Sequence, residues 1–418
     1  MKHYGGAFLL ALGLAGALTL GAAAADYEAA AQELAQIGIF RGSAQGFELD
    51  RAPTRTEAAV MLVRLLGGEK EAAAQFAAGA IPQPFGDVPP WAEPYVAWLS
   101  AKGLVQGMAA ADGTLRFGGE ELCTAQMYVT FLLRALDYRD SGAVTDFRFD
   151  GALELAQELG IYDAAQLQGS FLRDDLAALT LQALTVDPRQ DTDSLLERLL
   201  ARGAISHTAA GELRETVRRY RAWRDDTARQ AEQTDWDMTL TLTTRLGESE
   251  SETDMHLCTQ RQEDGSMGVA STTRLATSLG FEATLSHWWK DGWQYTQAGT
   301  QRTKTRGSSA AAVQDWSVEP LYLCKSIECV SDHSGTQYTV ELLPIAARVT
   351  ASLGVAAVTV SSPITLEAQF GQDGVIQSSQ LRFTQTVSGG AAAVELSCAY
   401  ASGSVSIDWP DFTEFTLE

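Results

Sequence analysis

Cysteine and histidine are scarce in this chain, five of each in 418 residues, and so are the catalytic signatures built on them. Beyond the first few residues the histidines are His207, His256, His287 and His333, with no metal-binding spacing such as HExxH, and neither GxSxG nor a P-loop occurs. A non-enzymatic protein without cofactor or metal is therefore expected. Cys324 and Cys329 lack the CxxC spacing of redox and zinc sites. On a helix their separation would turn them about 140° apart, which disfavours a bridge. Cys258 falls on the polar phase of its segment and Cys398 on the apolar phase of another, while Cys123 is expected to pack as a small apolar residue. Free thiols in an exported chain would fit an anaerobic or weakly oxidising habitat.

Basic residues are also few: 31 Lys and Arg face 53 Asp and Glu, a formal charge of −22. That balance argues against nucleic acid as a partner and disfavours an enzyme acting on polyanions. Long hydrophobic runs are confined to FLLALGLAGALTLG near the N-terminus, which ends at Ala22–Ala25 before Asp26. A short apolar stretch closed by small residues reads as a cleaved secretory signal over residues 1–25. No transmembrane segment is expected after it, and no cysteine marks a lipid anchor there.

What the chain does have is 45% hydrophobic residues, enough for two or three domains. The stretch from Phe85 to Tyr138 shows the plan. Pro89 and Pro90 block an earlier start, and a helix is expected to carry Trp91, Tyr95, Trp98 and Leu99 on one stripe until Gly103. A connector through Gly107 and Asp112-Gly113 leads to Thr124, placed to cap a second helix with Met127, Tyr128, Phe131, Leu132, Ala135 and Leu136 inward. Neither helix buries its stripe alone.

The pattern recurs. AAQELAQIGIFRG (Ala30–Gly42) repeats the ending LxxxGLVQG, and FELDRAPTRTEAAVMLVRLL (Phe47–Leu66) repeats the second half. Phe47 and Arg64 stand around Thr54 as Phe117 and Arg134 stand around Thr124. GALELAQELGIYD (Gly151–Asp163) and FLRDDLAALTLQAL (Phe171–Leu184) make a more eroded third copy. The order FxDV, W, LxxxGLVQG, DG, F and a Thr-initiated helix ending in RAL resembles the S-layer homology (SLH) repeat, which attaches proteins to Gram-positive cell-wall polysaccharide. Three repeats (26–70, 85–140, 147–186) would form an all-α domain over 26–186.

In the first repeat Thr54 and Glu57 have the spacing of a capping box, and Arg55 lies between them with its side chain expected to be free. A cation in a first helical turn is slightly disfavoured by the helix dipole, so stability alone does not explain it. The resemblance implies that Arg55 contacts the acidic sugar of an anionic wall polymer, and that Arg173 does so in the third repeat; the second has Ala125 at this position. Asp87 and Trp91 match the FxDV and tryptophan positions and are candidates for the same polymer. A plain exposed arginine, a turn-forming aspartate and a core aromatic are the corresponding alternatives.

Residues 187–234 read as a solvated helical linker. Leu195, Leu196, Leu199 and Leu200 mark one helix; Leu213, Val217 and Tyr220 mark another, whose arginines from Arg214 to Arg229 are interleaved with acids. From residue 235 to 418 the period changes to two: WDMTLTLTTRL, ITLEAQF and AVELSCAY alternate strictly, and Asp264-Gly265, Asp291-Gly292 and Asp373-Gly374 supply hairpin turns. An antiparallel sheet of seven to nine strands is expected, with helices over Ala310–Val330 and Pro344–Gly354 covering one face.

Such a sheet, together with the phrase HWWKDGWQYTQ, resembles the LolA-like half-barrel of bacterial lipoproteins and lipid carriers. That resemblance implies an apolar cavity, which Trp288, Trp289, Trp293 and Trp316 either line or, as a sheet core, fill. The sequence thus describes a multidomain α-then-β chain, secreted and held at the cell surface of a Gram-positive-type bacterium. The alternative is an exported carrier of a lipid or another apolar ligand.

Overall fold

The computed structural model describes residues 27–417 apart from 110–112, 165, 168, 308–315, 346–358, 388–389 and 404. The expected leader therefore lies outside the described residues, as do Asp112 of the Asp112-Gly113 turn and most of the helix expected over Pro344–Gly354. No helix among the described residues is long and apolar enough to cross a membrane.

The chain is α+β and divides into two compact units. One is helical, runs to Tyr220 and includes Pro320–Tyr322; the other comprises Arg221–Glu319 and Leu323–Glu418. The helical unit contains α1 (Glu28–Gln36), α2 (Arg55–Leu65), α3 (Glu69–Ala77), α4 (Glu93–Ala101), α5 (Ala125–Ala135), α6 (Ala152–Glu158), α7 (Arg173–Ala183) and α8 (Leu195–Ala201); α9 (Gly211–Ala228) spans the unit boundary. The hairpin strands β1 (Met108–Ala109) and β2 (Leu115–Arg116) also belong to this unit.

The N-termini of α2 and α5 are fixed as their sequences dictate. Thr54 Oγ1 accepts from the Glu57 amide at 3.2 Å while Glu57 Oε2 accepts from the Thr54 amide at 2.8 Å, a complete capping box; Thr124 accepts from the Met127 amide at 3.2 Å. The third copy has Leu172 in place of the capping threonine, yet Asp175 Oδ2 still accepts from the Leu172 amide at 2.7 Å.

One set of main-chain hydrogen bonds occurs twice between the copies. The amides of Arg55 and Thr56 donate to Glu121 O and Gly119 O, and those of Arg173 and Asp174 donate to Arg51 O and Leu49 O. Glu121 and Arg51 each lie three residues before a capping threonine, and Gly119 and Leu49 five before it. The start of α2 therefore docks on the loop before α5 in the same way that the start of α7 docks on the loop before α2.

Two expectations here need correction. Trp91 is not on a helical stripe: the Ala92 amide bonds Pro89 O in a turn, α4 begins only at Glu93, and Trp91 is 57% exposed. The stretch 187–234 is not a separate solvated linker, because Leu195, Leu196, Leu199 and Leu200 of α8 are buried and the unit boundary falls at Tyr220. Cys123 is buried, as its small apolar character requires.

The second unit is one large sheet. Its strands are β3 (Trp236–Leu246), β4 (Ser249–Arg261), β5 (Met267–Thr277), β6 (Glu282–Lys290), β7 (Trp293–Ala298), β8 (Gln301–Arg306), β9 (Cys324–Asp332), β10 (Gly335–Leu342), β11 (Thr359–Val360), β12 (Ile364–Gly371), β13 (Ile376–Val387), β14 (Gly390–Ser402) and β15 (Thr416–Leu417). The order is β15-β8-β7-β6-β5-β4-β3-β14-β13-β12-β10-β9, with β11 on β13. Two antiparallel meanders are thus joined edge to edge through β14 and β3, and the pairing of β15 with β8 is parallel. Among the described residues the sheet has 13 strands against the expected seven to nine.

The helix expected over Ala310–Val330 is absent from its described part, since Leu321–Leu323 form a single 3-10 turn and Cys324–Asp332 form β9. Pairing with β10 satisfies the backbone that a helix would otherwise have satisfied internally. The Asp291-Gly292 turn joins β6 to β7 with both residues left-handed, φ 52° and 74°, which is why aspartate and glycine are the residues present.

Candidate functional site

The four residues singled out for polymer binding lie in the helical unit, and three of them are used internally. Arg55 is 7% exposed. Its Nη2 donates to Gln106 O at 2.8 Å, and its guanidinium lies over the rings of Phe117 at 4.9 Å and Phe131 at 5.8 Å. Arg173, 8% exposed, donates from Nε to Phe47 O at 2.9 Å and from Nη1 to Glu57 Oε1 at 3.3 Å, and lies over Phe40 at 5.1 Å. The two arginines are equivalent in space as well as in sequence, for each enters the GxxxG-to-Phe loop of a different copy. Burial lowers the pKa of both guanidiniums. The expected free side chain of Arg55 is corrected accordingly.

Asp87 accepts from the amides of Phe117 at 2.7 Å and Gly118 at 2.8 Å, which holds its carboxyl below the usual range against the opposing effect of burial. It pins the loop on which Arg55 stacks. Trp91 alone of the four is exposed. A groove of about 440 Å³ elsewhere in this unit is lined by Asp146, Asp150, Glu154 and Glu158 with Arg148, a carboxylate-rich wall that repels an anionic polymer.

Glu57 is the pivot of this network. Burial raises its pKa, but the bonds from Arg51 and the Thr54 amide and the Arg173 charge outweigh that and hold it below the usual value. A carboxylate depressed in the folded state adds stability that is present above its unfolded value, about 4.3, and is lost as pH falls through the folded value. The urea midpoint of the helical transition is therefore expected to fall as pH drops below about 4.3. Glu57→Gln, already weakened at pH 7, should show a shallower fall; an equal fall in both proteins would exclude Glu57 as the cause.

In the sheet unit, residues directly opposite one another share a face, so the register defines rows. One row runs Leu366, Leu381, Leu396, Leu242, Thr253, Leu275; the next runs Ala368, Ser379, Cys398, Leu240, Met255, Thr273, Leu285. At one end this apolar face is covered. Tyr338 Oη donates to Asp226 at 2.5 Å, Gln230 of the turn after α9 bonds Gly374 O and the Ile376 amide, and Trp316 packs on Trp236 and Tyr400. In the middle Leu240, Leu242, Leu275, Leu285, Leu366 and Leu396 are only half-buried.

The tryptophans divide between the faces. Trp289 is on the apolar face, in the same cross-strand row as Val269, whereas Trp288 points the other way and meets Phe415. There Tyr295 stacks on Phe412 at 4.0 Å, and the C-terminal segment Ile407–Phe415 covers the aromatic end of the opposite face. The four tryptophans therefore do not line one cavity. A cavity of about 270 Å³ in this unit is lined mostly by the polar set, Gln337, Glu367, Gln369, Ser378, Gln380 and Ser397. The half-buried leucine rows, found from register rather than composition, are the apolar surface; the alternation of WDMTLTLTTRL and AVELSCAY was the signal for them.

No protein-family model matches the chain, and no curated protein matches it. Among solved structures it is similar to a DUF1329 family protein from Desulfovibrio piger, at 9% identity over 43% of this chain and 90% of that one, with a TM-score of 0.19. It is also similar to a putative outer membrane lipoprotein-sorting protein domain from Vibrio parahaemolyticus, at 11% identity over 43% and 89% of the two chains, TM-score 0.19. A third is a β-barrel-like protein of the DUF1849 domain family from Brucella abortus, at 10% identity over 41% and 99%, TM-score 0.15. The SLH resemblance consequently rests on the residues quoted for it.

Proposed function

We propose that the protein is an extracytoplasmic, non-enzymatic carrier whose sheet unit holds a lipid or another apolar ligand against the rows Leu366–Leu275 and Ala368–Leu285. The observation that carries this reading is six half-buried leucines that strand register places on one face, around the buried side chains of Leu381, Thr253 and Met255, so that a continuous apolar surface is left partly open. Each methylene of an acyl chain laid on such a face contributes about 0.8 kcal/mol, so a long chain is retained without any charged anchor. Wall anchoring through Arg55 and Arg173 is the weaker reading, because both guanidiniums are already committed to carbonyls, Glu57 and aromatic rings within the helical unit.

Native mass spectrometry of the protein exported from a bacterial host, followed by solvent extraction, tests the proposal. A stoichiometric adduct that extracts as lipid is expected. An adduct-free mass, with no displacement of a fluorescent fatty acid by added lipid, would refute the carrier reading.

A further inference from the structure

On the sheet face opposite the leucine rows, three metal-ligating side chains of different chemistry meet. Asp237 and Cys258 are direct cross-strand partners on β3 and β4, and His256 lies two residues before Cys258 on the same side of β4. Their nearness follows from register. His256 Nε2 is 2.7 Å from Asp237 Oδ1 and 3.6 Å from Cys258 Sγ, and the three donor atoms all fall within 4.8 Å of one another. His256 and Asp237 are half exposed, with side-chain exposures of 53% and 45%, whereas Cys258 is buried. The next strands present Ala270 and Thr272 on one side and Ala399 and Ala401 on the other, so no lysine or arginine among these cross-strand neighbours competes for the site.

The arrangement does not suit nucleophilic catalysis. A Cys-His-Asp triad needs the acid on one ring nitrogen to orient the imidazole and the thiol on the other, whereas here the carboxylate and the thiol address the same nitrogen. Burial, with the Asp237 charge, also raises the thiol pKa, the reverse of an activated nucleophile. Three donors converging on one point is instead what a cation requires, and a divalent ion would compensate the burial of a thiolate beside a carboxylate.

The geometry points to a divalent transition-metal site formed by Asp237, His256 and Cys258, with zinc as the fitting ion and a fourth position open to solvent. Mixed imidazole, thiolate and carboxylate donors match a borderline ion, whereas calcium and magnesium prefer oxygen alone. Zinc–donor bonds of about 2.0–2.3 Å place tetrahedral ligands about 3.3–3.7 Å apart; the 3.6 Å between His256 and Cys258 already matches, while the 2.7 Å between His256 and Asp237 must widen as the ion replaces their hydrogen bond. Binding forms a metal–sulfur bond and releases the thiol proton to solvent, and the imidazole proton that faces Asp237 moves to Nδ1 so that Nε2 can bind the ion.

Cobalt(II) titrated into the reduced full-length chain is the probe, because a thiolate ligand produces a sulfur-to-cobalt absorption band. One cobalt per chain with that band is expected, displaced by zinc. Cys258→Ser should abolish the band, and His256→Gln, at an exposed position and with a melt checked against the wild type, should weaken binding by more than the roughly 10–100-fold that outer-shell partners are worth. Cys329→Ser should change neither. A wild-type chain without the band, or a band surviving in Cys258→Ser or unaltered in affinity in His256→Gln, would overturn the assignment.

Discussion

Arg173→Ala is expected to lower the melting midpoint of the helical unit by roughly 5–15 °C. The substitution removes charge-assisted bonds to Phe47 O and Glu57 and the stacking on Phe40, and leaves a half-buried carbonyl without its donor. Losing a partner of a buried charged group costs about 2–4 kcal/mol, and each kcal/mol shifts a unit of this size by about 2–4 °C. Arg55→Ala should behave alike, through Gln106 O and Phe117. Lysine should not rescue either, since one ammonium cannot reproduce a planar fork that donates at its edge and stacks through its face. Arg41→Ala is the control: its pair with Glu69 is exposed and worth at most about 1 kcal/mol. Melting of Arg173→Ala and Arg55→Ala at the wild-type temperature would show that these arginines are dispensable to the fold and reopen their assignment to an external ligand.

The paired substitution Leu242→Asp and Leu396→Asp should reduce affinity for a fluorescent fatty acid by about 30- to 150-fold. The two residues are direct cross-strand neighbours in the centre of the leucine row, half-buried before any ligand arrives. A carboxylate there must be desolvated by an incoming acyl chain, a penalty of about 2–3 kcal/mol even with partial relief by water. The two carboxylates face each other across the strand pair and cost some stability, but half-buried positions let them turn toward solvent; a cooperative melt, lowered yet well above the assay temperature, verifies folding. On the opposite face Thr239→Asp, exposed and facing His256 and Ala399, serves as a control and should leave affinity unchanged. Equal loss in the control, or no loss in the paired variant, would remove the leucine rows from the binding surface.

Local rules were legible in the amino-acid sequence. Thr54, Glu57 and Thr124 start helices because side-chain oxygens at that spacing satisfy orphan amides, whatever surrounds them. Asp291-Gly292 makes a two-residue turn because both positions need positive φ. The alternation of β3, β12 and β14 set which residues share a face. The stretch ending in Cys324–Asp332 was misread because its periodicity is weak, Ile327 being its one fully buried side chain, and strand pairing with β10 decided its form.

Tertiary structure decided everything that depends on a partner distant in the chain. Arg55 reads as free, and Arg173 as a polymer contact by resemblance, because nothing nearby in sequence engages them; their acceptors, Gln106 O and Phe47 O, lie 51 and 126 residues away. The two faces of β6 and β7 are covered differently because the C-terminal aromatic segment crosses only one of them. The sequence by itself determined periodicity, capping and turn chemistry, which are properties of residues a few positions apart. Only the fold determined which charges are buried, which leucines stay half open and which three donors meet at Asp237, because burial and convergence are properties of surfaces that form when distant segments pack.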